Sequence, residues 1–356
     1  MATARRPACP GGDAPVKNPF STALKATRMA RKGRPLSAAL LWQRALMPTI
    51  PKPPRAPKRK SPAKKTGRVE RPAPGSFIED DFSCAQGSLR YRLYTPVGST
   101  RRRLPLIVML HGCTQSAADF ATGTAMNRLA DELGFLVLYP EQSPRANANR
   151  CWNWHSPSHQ KRGSGEAAVI AGMTRHILDR CKGHDGRVYI AGISAGGAAA
   201  AIIAAAYPQL YVAVGVHSGV PMGTIGSVGE ALAAMRGQAT PTIGKTTPPL
   251  PMILFHGDSD RVVHPSNAGG FVSQLQRSST RALSVQSEEG VALGGRAFTR
   301  SFYRYGREPV MLEEWTVHGS GHAWSGGQPG GSHTDPKGPD ASRAMATFFL
   351  VRRRAG

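Results

Sequence analysis

Short apolar runs alternate with stretches of helical spacing through most of this chain, and that alternation limits the fold more than any other feature. Most runs have four to seven residues and are almost entirely apolar, as strands buried on both faces are. Helices between such strands are typical of crossovers that join parallel neighbours. The predicted strands are Leu104–Leu110, Phe135–Tyr139, Arg187–Ala191, Val212–Val216 and Met252–Phe255, with an edge strand at Arg90–Tyr94 and a hairpin or two late strands at Phe298–Tyr305 and Met311–Val317. The predicted helices are Met126–Leu133, Gly165–Cys181, Ala195–Tyr207 and Ala341–Val351. We therefore predict an α/β fold with a mostly parallel central sheet that is flanked by helices.

Residues 1–74 differ in composition from the rest of the chain. They hold 18 of the 46 Lys and Arg, 13 of the 29 Pro and two acidic residues, which gives this arm a net charge of +16 out of +24. Such a segment buries too little apolar surface to offset the entropy of ordering it. We predict that residues 1–74 form a largely disordered basic arm, with a short amphipathic helix that includes Leu36, Leu40 and Met47. Residues 75–356 are predicted to form the folded domain.

The arm has three interpretations: a solvated tether, a segment that docks on an anionic surface or hydrophobic granule, or a nucleic-acid binder. Its Lys and Arg would neutralise phosphates, but the run at 51–60 has no aromatic residue for base stacking, so we predict no specific nucleic-acid partner. No apolar run approaches the ~20 residues of a membrane helix, which excludes an integral membrane protein. We also identify no secretory signal, because no uninterrupted apolar segment follows Arg5 and Arg6.

The cysteines give no indication of a metal site. Five of them, at positions 9, 84, 113, 151 and 181, are too few for a disulfide framework, and their spacing matches no zinc motif. An odd number leaves at least one thiol free. We predict that the protein uses neither a metal nor another cofactor.

The sequence Gly192-Ile193-Ser194-Ala195-Gly196 lies between a predicted strand and a predicted helix, the context that a G-x-S-x-G nucleophile turn requires. A sharp turn there would expose the Ser194 hydroxyl above the sheet, and side chains at positions 192 and 196 would collide with the neighbouring strand and helix. The alternative is a glycine-rich turn with an ordinary capping serine. Because a serine hydroxyl is a weak nucleophile alone, the first interpretation requires a carboxylate and then a histidine further along the chain.

Two aspartates follow the MILF strand, and we prefer Asp260 to Asp258 as the orienting acid because it lies further past the strand end. The histidines that follow are His264, His318, His322 and His333. His322 lies on a glycine-flanked loop after the last strand, whereas His318 is closer to the strand and is expected to be structural. Ser194, Asp260 and His322 are thus the predicted nucleophile, acid and base. The alternative is a capped turn with solvated aspartates.

The HGCTQ turn at 111–115 is expected at the same edge of the sheet, because it ends the first long strand. A turn there can direct a backbone N–H at the site. We predict the amides of Cys113 and Ala195 as the two donors of an oxyanion hole.

The CWNW segment at 151–154 also follows a buried strand. We interpret Trp152 and Trp154 as an apolar platform for an acyl or polymer chain, with Trp324 as a further substrate contact. The alternative is that these tryptophans cap the core. Cys151 is expected near Cys113, and a disulfide between them would form only in an oxidising compartment.

Six segments resemble motifs of the poly(3-hydroxybutyrate) depolymerase family of esterases, a branch of the α/β-hydrolases. They are LHGCTQ (110–115), FLVLYPEQ (135–142), CWNW (151–154), RVYIAGISAGG (187–197), FHGDSD (255–260) and GHAWSGG (321–327). The resemblance spans roughly residues 80–350. It implies an α/β-hydrolase fold and a secreted or cell-associated serine esterase with Ser194, Asp260 and His322 as its triad.

The predicted function is therefore that of a serine carboxylesterase that forms an acyl-enzyme on short hydroxyacyl esters or poly(3-hydroxybutyrate) oligomers. The family also includes feruloyl and acetyl xylan esterases, so esters of plant polysaccharide are the alternative substrates. A non-enzymatic alternative is the binding of polymer granules or polyanions through the basic arm. The resemblance implies an extracellular location, whereas the lack of a recognised signal is consistent with the cytoplasm.

Overall fold

The structure is a computed structural model that describes residues 75–98, 103–221, 223, 225–238 and 250–354. The predicted arm and its amphipathic helix lie outside these residues. All described residues belong to one unit of the chain, which lies within Gly67–Gly356.

The described residues contain twelve β-strands and seven α-helices. The strands are β1 (Ser76–Cys84), β2 (Gly87–Thr95), β3 (Leu106–Leu110), β4 (Leu136–Glu141), β5 (Val188–Ile193), β6 (Ala213–His217), β7 (Met252–Gly257), β8 (Leu283–Val291), β9 (Ala297–Tyr305), β10 (Leu312–Val317), β11 (Trp324–Ser325) and β12 (Thr334–Asp335). The helices are α1 (Ala117–Thr124), α2 (Met126–Leu133), α3 (Gly165–Cys181), α4 (Ala195–Ala206), α5 (Val228–Met235), α6 (Ser266–Arg277) and α7 (Ala341–Leu350). None of these helices is long and apolar enough to span a bilayer.

Ten strands form one sheet in the order β1-β2-β4-β3-β5-β6-β7-β10-β9-β8. The six strands from β4 to β10 in this order are parallel, and antiparallel hairpins extend the sheet at both edges. The predicted α/β fold with a mostly parallel sheet is confirmed. Because the parallel strands share one direction, the loops that follow them meet at one edge of the sheet.

Successive residues of β5 show how the sheet is buried. Val188 and Ile190 belong to one core cluster, with Val169 of α3 and Ile203 of α4. Tyr189 and Ala191 point to the other face, where the core also contains Phe120 of α1, Leu129 of α2 and Phe349 of α7. Apolar packing on both faces explains why the central strands are apolar at every position.

Seven strands and helices were not predicted: β1, β8, β11, β12, α1, α5 and α6. The predicted edge strand at Arg90–Tyr94 forms the middle of β2. It does not lie at the edge of the sheet, because β1 pairs with β2 on its outer side. Strand β8 exposes seven of its nine residues, so it has no buried face to impose an apolar alternation. Strand β8 is held by backbone hydrogen bonds to β9, with which it forms a hairpin. Backbone hydrogen bonds do not require particular side chains, so the sequence did not indicate this strand.

Candidate active site

Ser194 lies in the sharp turn between β5 and α4. Its backbone has φ 57° and ψ −123°, a left-handed conformation that is rare for a residue with a side chain. Its amide donates to the carbonyl oxygen of His217 at 2.9 Å. Among residues 188–204, Ser194 is the only one that is not buried. The turn therefore exposes one serine at the carboxyl end of a central strand.

Gly192 and Gly196 make this turn sterically feasible. A Cβ on Gly192 would lie 2.4 Å from the Gly196 carbonyl carbon and oxygen. A Cβ on Gly196 would lie 2.2 Å from the carbonyl oxygen of Leu110 and 2.5 Å from that of His111. These are backbone atoms, which cannot rotate away. The collisions predicted from the motif are confirmed, and they place the start of α4 directly against the end of β3.

Gly196→Ala is expected to lower the free energy of unfolding by more than about 3 kcal/mol, since the new methyl group can be accommodated only if β3 or α4 moves. Gly269→Ala on α6 is the matched control, because a Cβ there meets nothing within 4 Å. That change is expected to stabilise the protein by about 0.5–1 kcal/mol. Urea unfolding measures both, and a loss below about 1 kcal/mol for Gly196→Ala would contradict the packing described.

Asp260 and His322 are joined by a hydrogen bond whose carboxylate is buried. The Nδ1 of His322 lies 2.7 Å from Oδ2 of Asp260, which is 3% exposed. The other carboxylate oxygen, Oδ1, accepts the amides of Val262 and Val263 at 2.9 Å each. Burial raises the pKa of Asp260, but the hydrogen bond and charge of His322 and the amide of Val263 outweigh it, so the pKa lies below 3.8. Asp260 is therefore an ionised acceptor that can orient the imidazole.

Asp258 and His318 form a separate and more exposed pair. Their Oδ2 and Nδ1 atoms are 2.9 Å apart, and Asp258 also accepts the amide of Gly319 at 2.7 Å. The second nitrogen of His318 contacts the hydroxyl of Thr299 at 2.9 Å. Each aspartate is thus hydrogen-bonded to one histidine, and the buried pair is the one selected from the sequence.

A buried histidine connects the Ser194 turn with the His322 loop. His217, at the end of β6, accepts the amide of Ser325 on its Nε2 at 3.0 Å, while its carbonyl accepts the amide of Ser194. Ser325 follows His322 by three residues. The strands that precede Ser194, Asp260 and the His322 loop are β5, β7 and β10. In the sheet, β7 and β10 are neighbours, and only β6 lies between β5 and β7. All three predicted residues thus follow the carboxyl ends of clustered parallel strands.

The turn at 111–115 has one unused donor. The amide of Gly112 donates to Oε1 of Gln115, that of Thr114 to the Asn149 carbonyl, and that of Gln115 to the Gly112 carbonyl. In the described part of the chain, the amide of Cys113 has no acceptor. It is therefore available to bind negative charge.

A second unused amide lies at the start of α4. Among the described residues, the N–H of Ala195 also has no acceptor, as expected at the first position of a helix. The 111–115 turn is close to it: a Cβ on Gly112 would lie 3.3 Å from Cγ2 of Ile193, which immediately precedes Ser194. Two free donors thus flank the exposed serine, as an oxyanion hole requires.

The prediction that Trp152 and Trp324 contact substrate is wrong. Trp152 is fully buried and donates its indole N–H to the carbonyl of His111 at 2.9 Å. Trp324 is 1% exposed, donates to Oγ of Ser342 and stacks on His217. Burial of these large rings stabilises the loops around the site, which was the alternative interpretation. Trp154, at 7% exposure, retains only a small accessible edge.

A disulfide joins Cys113 to Cys151, whose Cα atoms are 4.2 Å apart. It links the turn with the free amide to the CWNW segment. Glu166 of α3 holds the same segment through the backbone and side-chain amides of Asn153, both at 2.8 Å. The role of Glu166 was not predicted, because a lone glutamate in a helix gives no sequence signal. In the described residues, no group of three His, Cys, Asp or Glu side chains could hold a metal ion.

Most of the perturbed histidines are held neutral by burial. Burial lowers the pKa of His111, His155, His217, His256 and His333, and that of His217 falls to about 3. The pKa of His159 is raised, chiefly by its hydrogen bond to Glu166. The unfolded chain therefore binds more protons than the folded chain once the pH falls below about 6.5.

We therefore expect the free energy of unfolding to fall as the pH decreases from 7.5 to 5.5. Each histidine that stays neutral in the folded state contributes up to about 1.4 kcal/mol per pH unit below its unfolded pKa. The effect continues until the pH reaches the lowered pKa of the folded state. Urea unfolding at several pH values measures the slope, and a free energy of unfolding that is constant over this range would contradict the assignment.

Comparison with known proteins identifies the family of this chain. Residues 89–285, more than half of the chain, match the family described as esterase PHB depolymerase. The chain belongs to this family. A curated relative is the poly(3-hydroxyalkanoate) depolymerase C of Paucimonas lemoignei, 29% identical over 258 residues that cover 68% of this chain and 60% of the relative.

Other relatives are named as acetylxylan and feruloyl esterases. The probable acetylxylan esterase A of Neosartorya fischeri is 29% identical over 56% of this chain and 58% of its own length. The feruloyl esterase B of Thermothelomyces thermophilus is 29% identical over 61% of this chain and 78% of its own. The chain thus spans about 60% of the length of the first two relatives.

A solved structure confirms the fold. The acetyl xylan esterase of Aspergillus awamori matches with a TM-score of 0.54, at 21% identity, over 66% of this chain and 89% of that protein. The chain therefore has an α/β-hydrolase fold, as the resemblance implied.

Proposed function

We propose that the protein hydrolyses carboxylic esters through an acyl-enzyme formed on Ser194. The observation that carries the proposal is the 2.7 Å hydrogen bond between the buried Asp260 and His322, on loops that follow the same group of strands as the strained Ser194 turn. The family match and the esterases among the relatives support it.

In the first half-reaction, His322 Nε2 accepts the hydroxyl proton of Ser194 as Oγ bonds to the ester carbonyl carbon. The carbonyl electron pair moves onto oxygen, where the amides of Cys113 and Ala195 bind the negative charge. Collapse of the tetrahedral intermediate breaks the bond to the alcohol oxygen, and His322 returns the proton to that oxygen. Asp260 stabilises the imidazolium while it carries the proton.

In the second half-reaction, water takes the place of the alcohol. His322 removes a proton from the water as its oxygen bonds to the acyl carbon, and the same amides bind the oxyanion. The bond to Ser194 Oγ then breaks, the serine regains its proton from His322, and the carboxylic acid leaves. Both steps use one base and one pair of donors.

We propose short hydroxyacyl esters or oligomers of 3-hydroxybutyrate as substrates, with Trp154 at the margin of the acyl site. The depolymerase relative supports this choice, and the acetylxylan and feruloyl esterases support the alternative of polysaccharide esters. The Cys113–Cys151 disulfide favours an oxidising compartment for the enzyme.

The test is turnover of p-nitrophenyl butyrate together with labelling by a serine-directed phosphonate. We expect turnover, one phosphonate per chain, and the added mass on the peptide that contains Ser194. A protein that neither hydrolyses short-chain esters nor takes up the phosphonate would disprove the proposal. A panel of 3-hydroxybutyrate oligomers, acetylated xylan and feruloyl esters would then rank the substrate classes.

We also propose that residues 1–74 are an arm that holds the 75–356 catalytic domain on an anionic surface or polymer granule. The net charge of +16 in the arm supports this role. Full-length protein should be retained on heparin or polymer granules in a salt-dependent way, and a variant without residues 1–74 should not. Equal retention of the two proteins would reject the proposal.

A further inference from the structure

We infer that Gln115 is a positioning residue, whose side chain anchors the turn at Gly112 so that the Cys113 N–H faces the carbonyl oxygen that reacts at Ser194. The inference rests on the proposed function and adds to it the residue that sets one half of the oxyanion hole. Gln115 follows Cys113 by two residues, and its own amide donates to the Gly112 carbonyl within the turn.

The Gln115 side chain is buried and uses both ends of its amide. It is 3% exposed. Its Oε1 accepts the amide of Gly112 at 2.9 Å, and its Nε2 donates to Oδ2 of Asp119 at 3.0 Å and to the carbonyl and hydroxyl of Ser332 at 3.1 and 3.2 Å. The hydrogen bond to the amide of Gly112 fixes the His111–Gly112 peptide, and the backbone amide of Gln115 donates at 3.3 Å to the carbonyl of the Gly112–Cys113 peptide that follows. The orientation of the Cys113 N–H therefore depends on where this side chain is anchored.

The anchor is a pair of groups from distant parts of the chain. Asp119 lies in the first turn of α1 and accepts the amide and the hydroxyl of Ser332, at 2.9 and 2.5 Å. Ser332 belongs to the loop between β11 and β12, which follows His322. In that loop the amide of Trp324 donates to the carbonyl of His333 at 2.7 Å. One polar cluster, made of Gln115, Asp119 and Ser332, thus joins the oxyanion turn to the segment that carries the base.

The turn needs such an anchor because part of it is strained. Thr114 has φ 68°, a conformation that costs a non-glycine residue about 1 kcal/mol or more. Without Gln115, the amide of Gly112 would lose its buried acceptor and the turn could relax. A glutamate at position 115 would not replace it, because a second carboxylate oxygen would face Asp119 in place of the donating Nε2.

The test compares Gln115→Met, which keeps the volume of the side chain and removes its hydrogen bonds, with Thr174→Val as the control. Thr174 is a buried residue of α3, and its hydroxyl contacts the hydroxyl of Tyr211 at 2.9 Å. Tyr211 belongs to the core cluster on one face of the sheet. Gln115→Met is expected to lower kcat on p-nitrophenyl butyrate roughly 10- to 100-fold with KM unchanged, because a displaced donor acts only in the transition state. Thr174→Val should lower stability and leave kcat unchanged.

Inhibition by an aliphatic trifluoromethyl ketone separates positioning from a general structural effect. Ser194 adds to this ketone, and the resulting oxyanion takes the place of the tetrahedral intermediate. The inhibition constant of Gln115→Met should therefore rise by the same factor as kcat/KM falls. If that variant does not fold, Ser332→Ala is the deciding variant. It removes the hydroxyl that contacts Nε2 of Gln115 and Oδ2 of Asp119, and we expect kcat to fall roughly threefold or more with a parallel rise in the inhibition constant.

An unchanged kcat in the folded variant, or a lower kcat with an unchanged inhibition constant, would overturn the positioning role. Equal losses of kcat in Gln115→Met and Thr174→Val would do the same. Wild-type protein assayed in parallel keeps the two proposals apart. If the wild type hydrolyses the ester and Gln115→Met is unaffected, only the role of Gln115 is wrong; if the wild type is inactive, the proposed function fails and this inference fails with it.

Discussion

Replacing Ser194 by glycine is expected to abolish ester hydrolysis and, at the same time, to stabilise the fold. Without Oγ no acyl-enzyme can form, so kcat should fall by a factor on the order of 10⁶, as in other enzymes that lose a catalytic serine. The backbone at φ 57° and ψ −123° costs a residue with a Cβ about 1–3 kcal/mol, and glycine adopts it without that cost. Glycine also has more freedom in the unfolded chain, so we expect a net gain of about 1 kcal/mol.

Ser194→Ala separates the two effects. Alanine also lacks the hydroxyl and should lose the same activity, but it keeps the Cβ and therefore the strain. Its free energy of unfolding should remain within about 0.5 kcal/mol of the wild-type value. Initial rates on p-nitrophenyl butyrate and urea unfolding of the three proteins provide the comparison. Residual activity above 1% in either variant, or a glycine variant no more stable than the alanine variant, would contradict the described turn.

Asp260→Asn is expected to lower kcat about 10⁴-fold with little change in the fold. The amides of Val262 and Val263 both donate to Oδ1 of Asp260, so an asparagine would turn its carbonyl oxygen toward them. Its NH₂ group would then face Nδ1 of His322, which lies 2.7 Å from the second oxygen. That nitrogen would have to accept the hydrogen bond, and the imidazole proton would move to Nε2. In this tautomer His322 cannot take the proton from Ser194.

Asp258→Asn is the matched control, since this aspartate is only two residues away and also bonds to a histidine. Its partner, His318, belongs to an exposed pair outside the proposed catalytic machinery. We expect kcat to stay within about threefold of wild type, because an exposed pair of this kind contributes at most about 1 kcal/mol. Kinetics of both variants on the same ester measure the contrast. Similar losses in the two variants would mean that the assignment of the acid is wrong.

The order of strands and helices could be predicted from the sequence because the central strands are buried on both faces. Burial makes nearly every position of β3, β4, β5 and β6 apolar, and the pattern survives in the sequence. The edge strands β1 and β8 are held by backbone pairing and contain no buried residue, so they were missed. Their existence depends on hydrogen bonds that any sequence of sufficient β propensity can make.

The roles of the tryptophans could not be predicted from the sequence. An indole in a loop near a predicted site is compatible with a substrate platform and with a buried support, and composition cannot separate these roles. Trp152 and Trp324 are buried because each finds an internal acceptor for its N–H, at His111 and Ser342. Those acceptors are 41 and 18 residues away along the chain. Only the folded chain brings them together.

The sequence by itself determined the fold class, the serine turn and the family, because strand burial and the steric demands of a tight turn act over a few neighbouring residues. The tertiary structure decided how the remaining groups are paired: Asp260 with His322, Asp258 with His318, and Gln115 with Asp119 and Ser332. These contacts join residues up to 217 positions apart, and their distances depend on how the sheet orders its strands. Local pattern carries no record of that order, so the sequence could nominate the reacting residues, but only the folded chain shows which groups contact one another.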